Sequence, residues 1–349
     1  MNKKSILSLL LSVLCGAGTA QTAQTQRAQQ QQQTRALQQP QPQQQPQQPQ
    51  PQPLHRLVFT PQWTPQSQFA GYYAALALGF YRDEGLDVVI SHPSASNPAL
   101  NRLRQGTSHV ITLQLVQAIC RTAEGFPLVN ILQTSQRNSL MIVPRRDDIR
   151  TLADLRGRKI GIWKAGFGEL ARILDSREGL DVQWIPFINN VNLFVSGAID
   201  ATLAMSYNEY FQILACGMQP RHVFHLADLG YDIPEDGLYV SASYYRRHRA
   251  RLEAFARASR RGWQWVARHP QEALDMVMEQ VRRHHVGTNR VQQKRMLEAV
   301  LQLQCPRGAT GPTFGLLPAQ VEQASRLLHE NGYIGREVTY REITGEQEK

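Results

Sequence analysis

A chain of 349 residues with 42% hydrophobic and 19% charged residues has the length for two domains and the composition of a globular protein. Four basic residues (Lys3, Lys4, Arg27, Arg35) and no acidic ones precede His55, so only +6 of the formal +10 charge lies on the part able to fold. That small surplus, without zinc-finger spacing or RNP aromatics, argues against nucleic acid as the partner.

Met1 to Ala20 reads as an export signal. Lys3 and Lys4 lead an apolar run from Ile6 to Leu14, and Gly18-Thr19-Ala20 offers a small-residue cleavage site. The run has about half the length of a membrane span. The protein is therefore expected to be exported, periplasmic or in the cell envelope, with Cys15 as the candidate for a lipid anchor. From Gln21 to Pro53, 18 of 33 residues are Gln and 6 are Pro. Such a stretch has little apolar surface to offset its ordering entropy, so 21–54 is expected to be a disordered linker. Cys120, Cys216 and Cys305 lack CxxC spacing, which argues against a zinc site or redox motif and leaves free thiols or one disulfide open.

Beyond the linker, short apolar strands alternate with helical patterns. Strands are expected at Leu57–Phe59, Asp87–Ser91, His109–Thr112, Leu128–Gln133 and Leu140–Val143, and helices at Phe69–Glu84, Asn97–Arg104 and Val116–Ala123. The rhythm continues with strands at Lys159–Trp163, Val182–Pro186, Ala201–Met205 and Val223–Leu226, and helices at Gly166–Ser176, Asn190–Ser196 and Tyr207–Cys216. This alternation predicts an α/β fold of βαβ units around mainly parallel sheet. After Tyr244 the chain turns helical. Leu252, Phe255, Ala256, Ser259, Trp263 and Val266 recur at helical spacing, so the arginines from Arg246 to Arg261 fall on a solvated face. Pro270 starts a further helix and Gly332 ends the helix begun at Pro318.

The sequence lacks GxSxG, HExxH, Walker A and GxGxxG motifs, and no catalytic, metal or cofactor site is expected. Aromatic residues instead collect after strand ends: Trp63, Trp163 beside Gly166-Phe167-Gly168, and Tyr207. In open α/β sheets ligands lie beyond those ends, so flat rings there predict a slot for a flat ligand. Glu209, among aromatics, is suited to accept hydrogen bonds from an aminopyrimidine edge or to sit exposed at a helix start. Gln62, Gln66 and Asn208 are the polar candidates beside it, with Phe69 and Tyr72 as further ring candidates. Gly166 to Gly168 form a turn able to close over the ligand.

The segment PQWTPQSQFAGYY (61–73), Gly79-Phe80-Tyr81, EGLDV (84–88), LADLRGRKIG (152–161), GAIDA (197–201) and Tyr207-Asn208-Glu209 together resemble the NMT1/THI5-like family, from about Leu57 to Tyr333. The resemblance implies an ABC-importer substrate-binding protein with a type II periplasmic-binding-protein fold. Its large lobe would comprise 55–144 plus 236–349 and its small lobe 145–235, and the protein would be monomeric. The implied ligand is a thiamin-pyrimidine precursor or riboflavin, handed to an ABC permease in the membrane. A ligand-sensing partner of a membrane receptor is a further reading. The family also includes a fungal pyrimidine synthase that uses pyridoxal phosphate and its own histidine. Here Leu229–Gly237 lacks the Cys-rich motif, Phe69 occupies the position of the histidine, and no Lys lies near it.

Overall fold

The computed structural model describes residues 25–34 and 53–346 apart from 165 and 189. The export signal and Cys15 lie outside the described residues. Of the Gln/Pro-rich segment, 25–34 form an exposed helix.

Among the described residues ten strands make two five-stranded sheets. β1 (His55–Thr60), β2 (Leu86–Ile90), β3 (Val110–Gln114) and β4 (Leu128–Gln133) belong to the first. β5 (Leu140–Pro144), β6 (Lys159–Trp163), β7 (Gln183–Phe187), β8 (Ala201–Met205) and β9 (Phe224–His225) form the second, and β10 (Asp236–Ser241) returns to the first. The spatial orders are β2-β1-β3-β10-β4 and β7-β6-β8-β5-β9. β3, β5 and β8 are buried along their whole length, which is why they read as near-continuous apolar runs.

The sheets are mixed rather than mainly parallel. β1 runs parallel to β2 and β3, and β6 parallel to β7 and β8. β10 lies antiparallel between β3 and β4, with Leu238 opposite both Thr112 and Leu132. β5 is antiparallel to β8 and β9. Each antiparallel strand is one the chain enters on crossing from the other sheet, so it runs back through its new sheet from the opposite end. The crossings are 134–139 and 226–235. Residues 140–144, expected at the end of the large lobe, therefore pair in the second sheet.

The single helix expected over Phe69–Glu84 is divided. A 3-10 turn (Ser67–Phe69) leads into the helix Ala70–Ala77, and Phe80–Asp83 forms a separate turn. Gly79 divides them with φ +76°, a conformation that glycine adopts without steric cost. The helix Ala70–Ala77 packs on the long helix Ala242–Arg268 at a glycine crossing. A Cβ on Gly262 would lie 2.0 Å from the Gly71 carbonyl oxygen, so the two backbones touch. Trp263 is buried beside this contact, edge-on to Tyr72 at 5.7 Å. The opposite face of the long helix carries exposed arginines paired with acids, among them Arg257–Glu84 at 2.7 Å and Arg261–Asp83 at 3.1 Å. Exposed pairs of this kind contribute about 0–1 kcal/mol each. Cys120, Cys216 and Cys305 are free thiols. No helix among the described residues is long and apolar enough to cross a membrane.

Candidate ligand-binding site

The cleft between the sheets is built from residues that follow β1, β6 and β8. Gln62 and Trp63 lie just beyond β1, Phe167 beyond β6, and Tyr207, Asn208 and Glu209 beyond β8. These residues line one cavity with Gln66, Gln68, Trp163 and Met205. Trp63 meets Phe167 edge-on at 6.0 Å across the cleft, and Phe167 meets Trp163 edge-on at 6.4 Å. Phe167 holds a left-handed backbone, φ +69°, between Gly166 at φ +107° and Gly168. For a non-glycine residue that conformation costs about 1–3 kcal/mol and is held by its surroundings. Gly168 is one reason the turn fits, since a Cβ there would lie 2.3 Å from Ile162 Cδ1.

Glu209 opens the short helix Glu209–Ala215 and is only 4% exposed. The Met205 N–H donates to its Oε2 at 3.0 Å and Asn208 Nδ2 donates to its Oε1 at 2.9 Å. Burial raises its pKa, and these donors oppose the shift. The position of Asn208 is fixed by Gln292 of the other lobe, whose Nε2 donates to the Asn208 carbonyl at 3.1 Å.

Two further carboxyls stand at the second crossing. Gln62 Nε2 donates to Asp236 Oδ1 at 2.8 Å and Gln68 Nε2 donates to Oδ2. Burial pushes Asp236 up to about 6 against these bonds. Ser139, in the first crossing, donates to Glu235 Oε2 at 2.5 Å. Burial, reinforced by the neighbouring Asp236, pushes Glu235 up to about 8. Tyr207 is raised by its own burial and then by the field of Asp236, Glu235 and Glu209. The cavity lining holds one carboxyl, Glu209, with the amides of Gln62, Gln66, Gln68 and Asn208 and no Lys or Arg among the described residues. Gln62 Oε1 is buried there without a hydrogen-bond donor.

His92 fixes the Trp63 loop from behind. Its Nδ1 lies 2.7 Å from the Trp63 carbonyl, which can only accept, so Nδ1 carries the proton. Nε2 then accepts from the Tyr73 hydroxyl at 2.9 Å. Burial lowers His92 to about 4, which keeps the ring neutral in this arrangement.

Of the residues expected to bind ligand, Gln62, Trp63, Gln66, Trp163, Phe167, Tyr207, Asn208 and Glu209 come together here. Gly166 and Gly168 shape the turn behind Phe167. Phe69 and Tyr72 do not line the cavity. They are 0% and 1% exposed in the first-lobe core, because the 3-10 turn and the helix after it direct them inward. Tyr72 meets Phe59 at 4.8 Å and Trp263 at 5.7 Å. Sequence reasoning did not single out Gln68, Met205, His92, Glu235 or Asp236 as site residues. For Gln68 a signal was present, since it lies in the same polar-aromatic segment as Gln66.

The cavity measures about 30 Å³. Pockets for drug-sized ligands run from roughly 300 to 1,000 Å³, so a ring enters only if the lobes part. A larger space of about 470 Å³ lies away from the aromatics, against the helix Pro318–Glu330. It is an open groove walled by exposed charges, with Arg177 bound to Glu330 at 3.0 Å. It lacks the convergent aromatic and buried polar groups of the cleft.

Several known proteins resemble this chain. The riboflavin-binding protein RibY of Chloroflexus aurantiacus is 25% identical over 258 residues, covering 71% of this chain and 72% of that protein. The formylaminopyrimidine-binding protein of Halalkalibacterium halodurans is 24% identical over 226 residues, covering 62% and 68%. Among solved structures, the periplasmic aliphatic sulphonate binding protein SsuA of Escherichia coli superposes with a TM-score of 0.61 at 14% identity, over 84% of this chain and 99% of that one. The Candida albicans CA3427 gene product, which exhibits the generic periplasmic binding protein structural fold, gives 0.53 at 14% identity over 70% and 80%. The two-sheet, two-crossing architecture is therefore the periplasmic-binding-protein fold. Residues 66–273, more than half of the sequence, match the family described as NMT1/THI5 like, and the chain belongs to that family.

Proposed function

We propose that this protein is the exported solute-binding component of an ABC importer and that it captures a flat, amine-bearing heteroaromatic ring of the thiamin-pyrimidine-precursor type. The observation that carries this reading is the cleft itself. Trp63 of one lobe and Trp163, Phe167 and Tyr207 of the other face a small space edged by the buried Glu209 carboxyl and lacking Lys or Arg among the described residues. A sulfonate or phosphate would meet no cation there, whereas an amino-substituted ring offers donors to Glu209 and to the unsatisfied Gln62 Oε1. Trp63 and Tyr207 would take the ring faces, and Asn208 would hold Glu209 in place. The lobes would open and shut by hinging at the two crossings. Relatives named for riboflavin and for formylaminopyrimidine both support a planar, nitrogen-rich ligand. The acid-edged, compact cavity favours the pyrimidine over the flavin.

This is a binding reading rather than an enzymatic one. The cavity has no Lys among its described residues to form an imine with pyridoxal phosphate, and Phe69 is core rather than site. Isothermal titration with a hydroxymethyl- or formylamino-aminopyrimidine, riboflavin and an alkanesulfonate tests the proposal. One-to-one binding of the pyrimidine supports it. Binding of riboflavin alone moves the ligand to the flavin class, and binding of the sulfonate alone overturns the reading. Incubation with pyridoxal phosphate should give no imine absorbance, and a stable adduct would revive the synthase.

A further inference from the structure

A second space lies behind the aromatic cleft. It measures about 20 Å³ and shares Gln68 and Tyr207 with the cleft as common walls. One oxygen-sized group needs roughly 10–15 Å³, so there is room for one such group and little more. Val300 and Leu303 give it an apolar side, the Glu235 and Asp236 carboxyls line it, and Trp263 lies against it with an indole Nε1 that has no hydrogen-bond partner. Thr134 and Ser135 also border it, but their hydroxyls are committed inside the protein, to the Asp236 and Arg137 carbonyls at 2.8 and 2.9 Å. Gln304 is different. It is 2% exposed, it lines the space, and its Nε2 has no hydrogen-bond partner. A buried amide N–H₂ left without an acceptor is costly, so such a group in a polar chamber calls for an oxygen.

We infer that this chamber is an inner compartment of the ligand site, in which Gln304 Nε2 donates to the hydroxyl or carbonyl oxygen of a short arm on the ring. The inference rests on the reading of the cleft as a heteroaromatic site. It adds a polarity rule to it. The ring edge meets acceptors, Glu209 and Gln62 Oε1, while the arm's oxygen meets the Gln304 donor in a chamber that the Glu235 and Asp236 carboxyls also line. Gln304 caps the helix Arg290–Leu303 in the first lobe, the lobe opposite Glu209. A ligand carrying both features would therefore be gripped from both lobes, and one lacking the arm would lose half of that grip.

The test is a pair of probes with one aminopyrimidine ring, one carrying a 5-hydroxymethyl arm and the other a 5-methyl. The native chain should bind the hydroxymethyl compound about tenfold more tightly, the value of one hydrogen bond to an otherwise unsatisfied buried donor. Gln304→Leu should abolish that preference and leave the methyl compound unchanged. If the variant does not fold, by thermal melting, Gln304→Met replaces it, and the native preference stands as an independent measurement. Equal affinities in the native chain, as a chamber holding only water gives, would overturn the inference while leaving the cleft reading intact. A preference that survives the substitution, or an equal loss for both probes, would also overturn it. If neither probe binds the native chain, the cleft reading fails and the chamber assignment fails with it.

Discussion

Replacing Glu209 with Gln separates ligand recognition from folding. Glu209 Oε2 accepts from the Met205 N–H and Oε1 from the Asn208 amide, and the Trp163 indole and the residue's own backbone N–H also favour the carboxylate. A carboxylate accepts up to about four, and a ligand amine would share the carboxyl with the Trp163 indole that lines the same cavity. Glutamine retains one acceptor oxygen, which the Met205 N–H would hold. Its N–H₂ would then face Asn208 Nδ2 and the ligand's own amine, donor against donor. Asn208 cannot turn freely to help, because its Oδ1 accepts from Gln212 at 2.9 Å. Losing one charge-assisted hydrogen bond is worth about 1.5–3 kcal/mol, or roughly 10- to 150-fold in Kd. Stability should respond differently, since burial already disfavours the Glu209 anion and the amide removes that penalty. The expected change in unfolding free energy for Glu209→Gln is within about 1 kcal/mol. Titration calorimetry of an aminopyrimidine beside thermal melting of both proteins checks the two halves. An affinity changed by less than about twofold, below the worth of even a neutral bond, would refute the assignment of Glu209 to the ligand's amino edge.

Other consequences follow from groups around the site. Glu235 is raised from 4.5 to about 8, so its contribution to stability is full below pH 4.5 and is lost as pH rises through about 8. Glu235→Gln should therefore gain stability relative to the native chain between pH 5 and pH 8.5, and a difference in melting temperature that stays constant across that range would contradict the account. His92→Ala removes the partners of the Trp63 carbonyl and the Tyr73 hydroxyl, and should cost about 1–3 kcal/mol of stability and weaken ring binding about tenfold. Ligand quenching of tryptophan fluorescence should weaken in parallel, and unchanged quenching would remove His92 from the positioning of Trp63. Gly262→Ala drives a methyl to 2.0 Å from the Gly71 carbonyl oxygen and should lower stability by about 3 kcal/mol or more, measured by urea unfolding. A loss under about 1 kcal/mol would mean the helices separate at little cost.

What the sequence disclosed follows the range of the interactions. Strand and helix alternation is local, and it gave the α/β class. The aromatics after β1, β6 and β8 were legible because strand ends in such folds converge on a ligand. Glu209 was legible as a carboxylate among rings. Asp236 was not, because it bonds Gln62 from 174 positions away, and only the antiparallel insertion of β10 between β3 and β4 brings them together. Gln304 and His92 share that limit, since their roles depend on which element packs behind which. Phe69 and Tyr72 were misread for a local reason. They follow a strand like the residues that line the cavity, but the 3-10 turn and helix point them at Phe59 and Trp263. Gly79 was visible in the sequence, yet its left-handed φ, which divides the expected helix, depends on how the next turn packs.

The central claim is that the cleft holds an amine-bearing heteroaromatic ring and excludes anions. Native mass spectrometry of the protein isolated directly from its source, with gentle release and identification of any retained small molecule, tests it most directly. The account predicts a one-to-one complex with an amino-substituted, nitrogen-rich aromatic carrying an oxygen-bearing arm. A retained sulfonate or other organic anion would contradict it, because the described residues lining the cavity include the Glu209 carboxyl and no Lys or Arg to receive one.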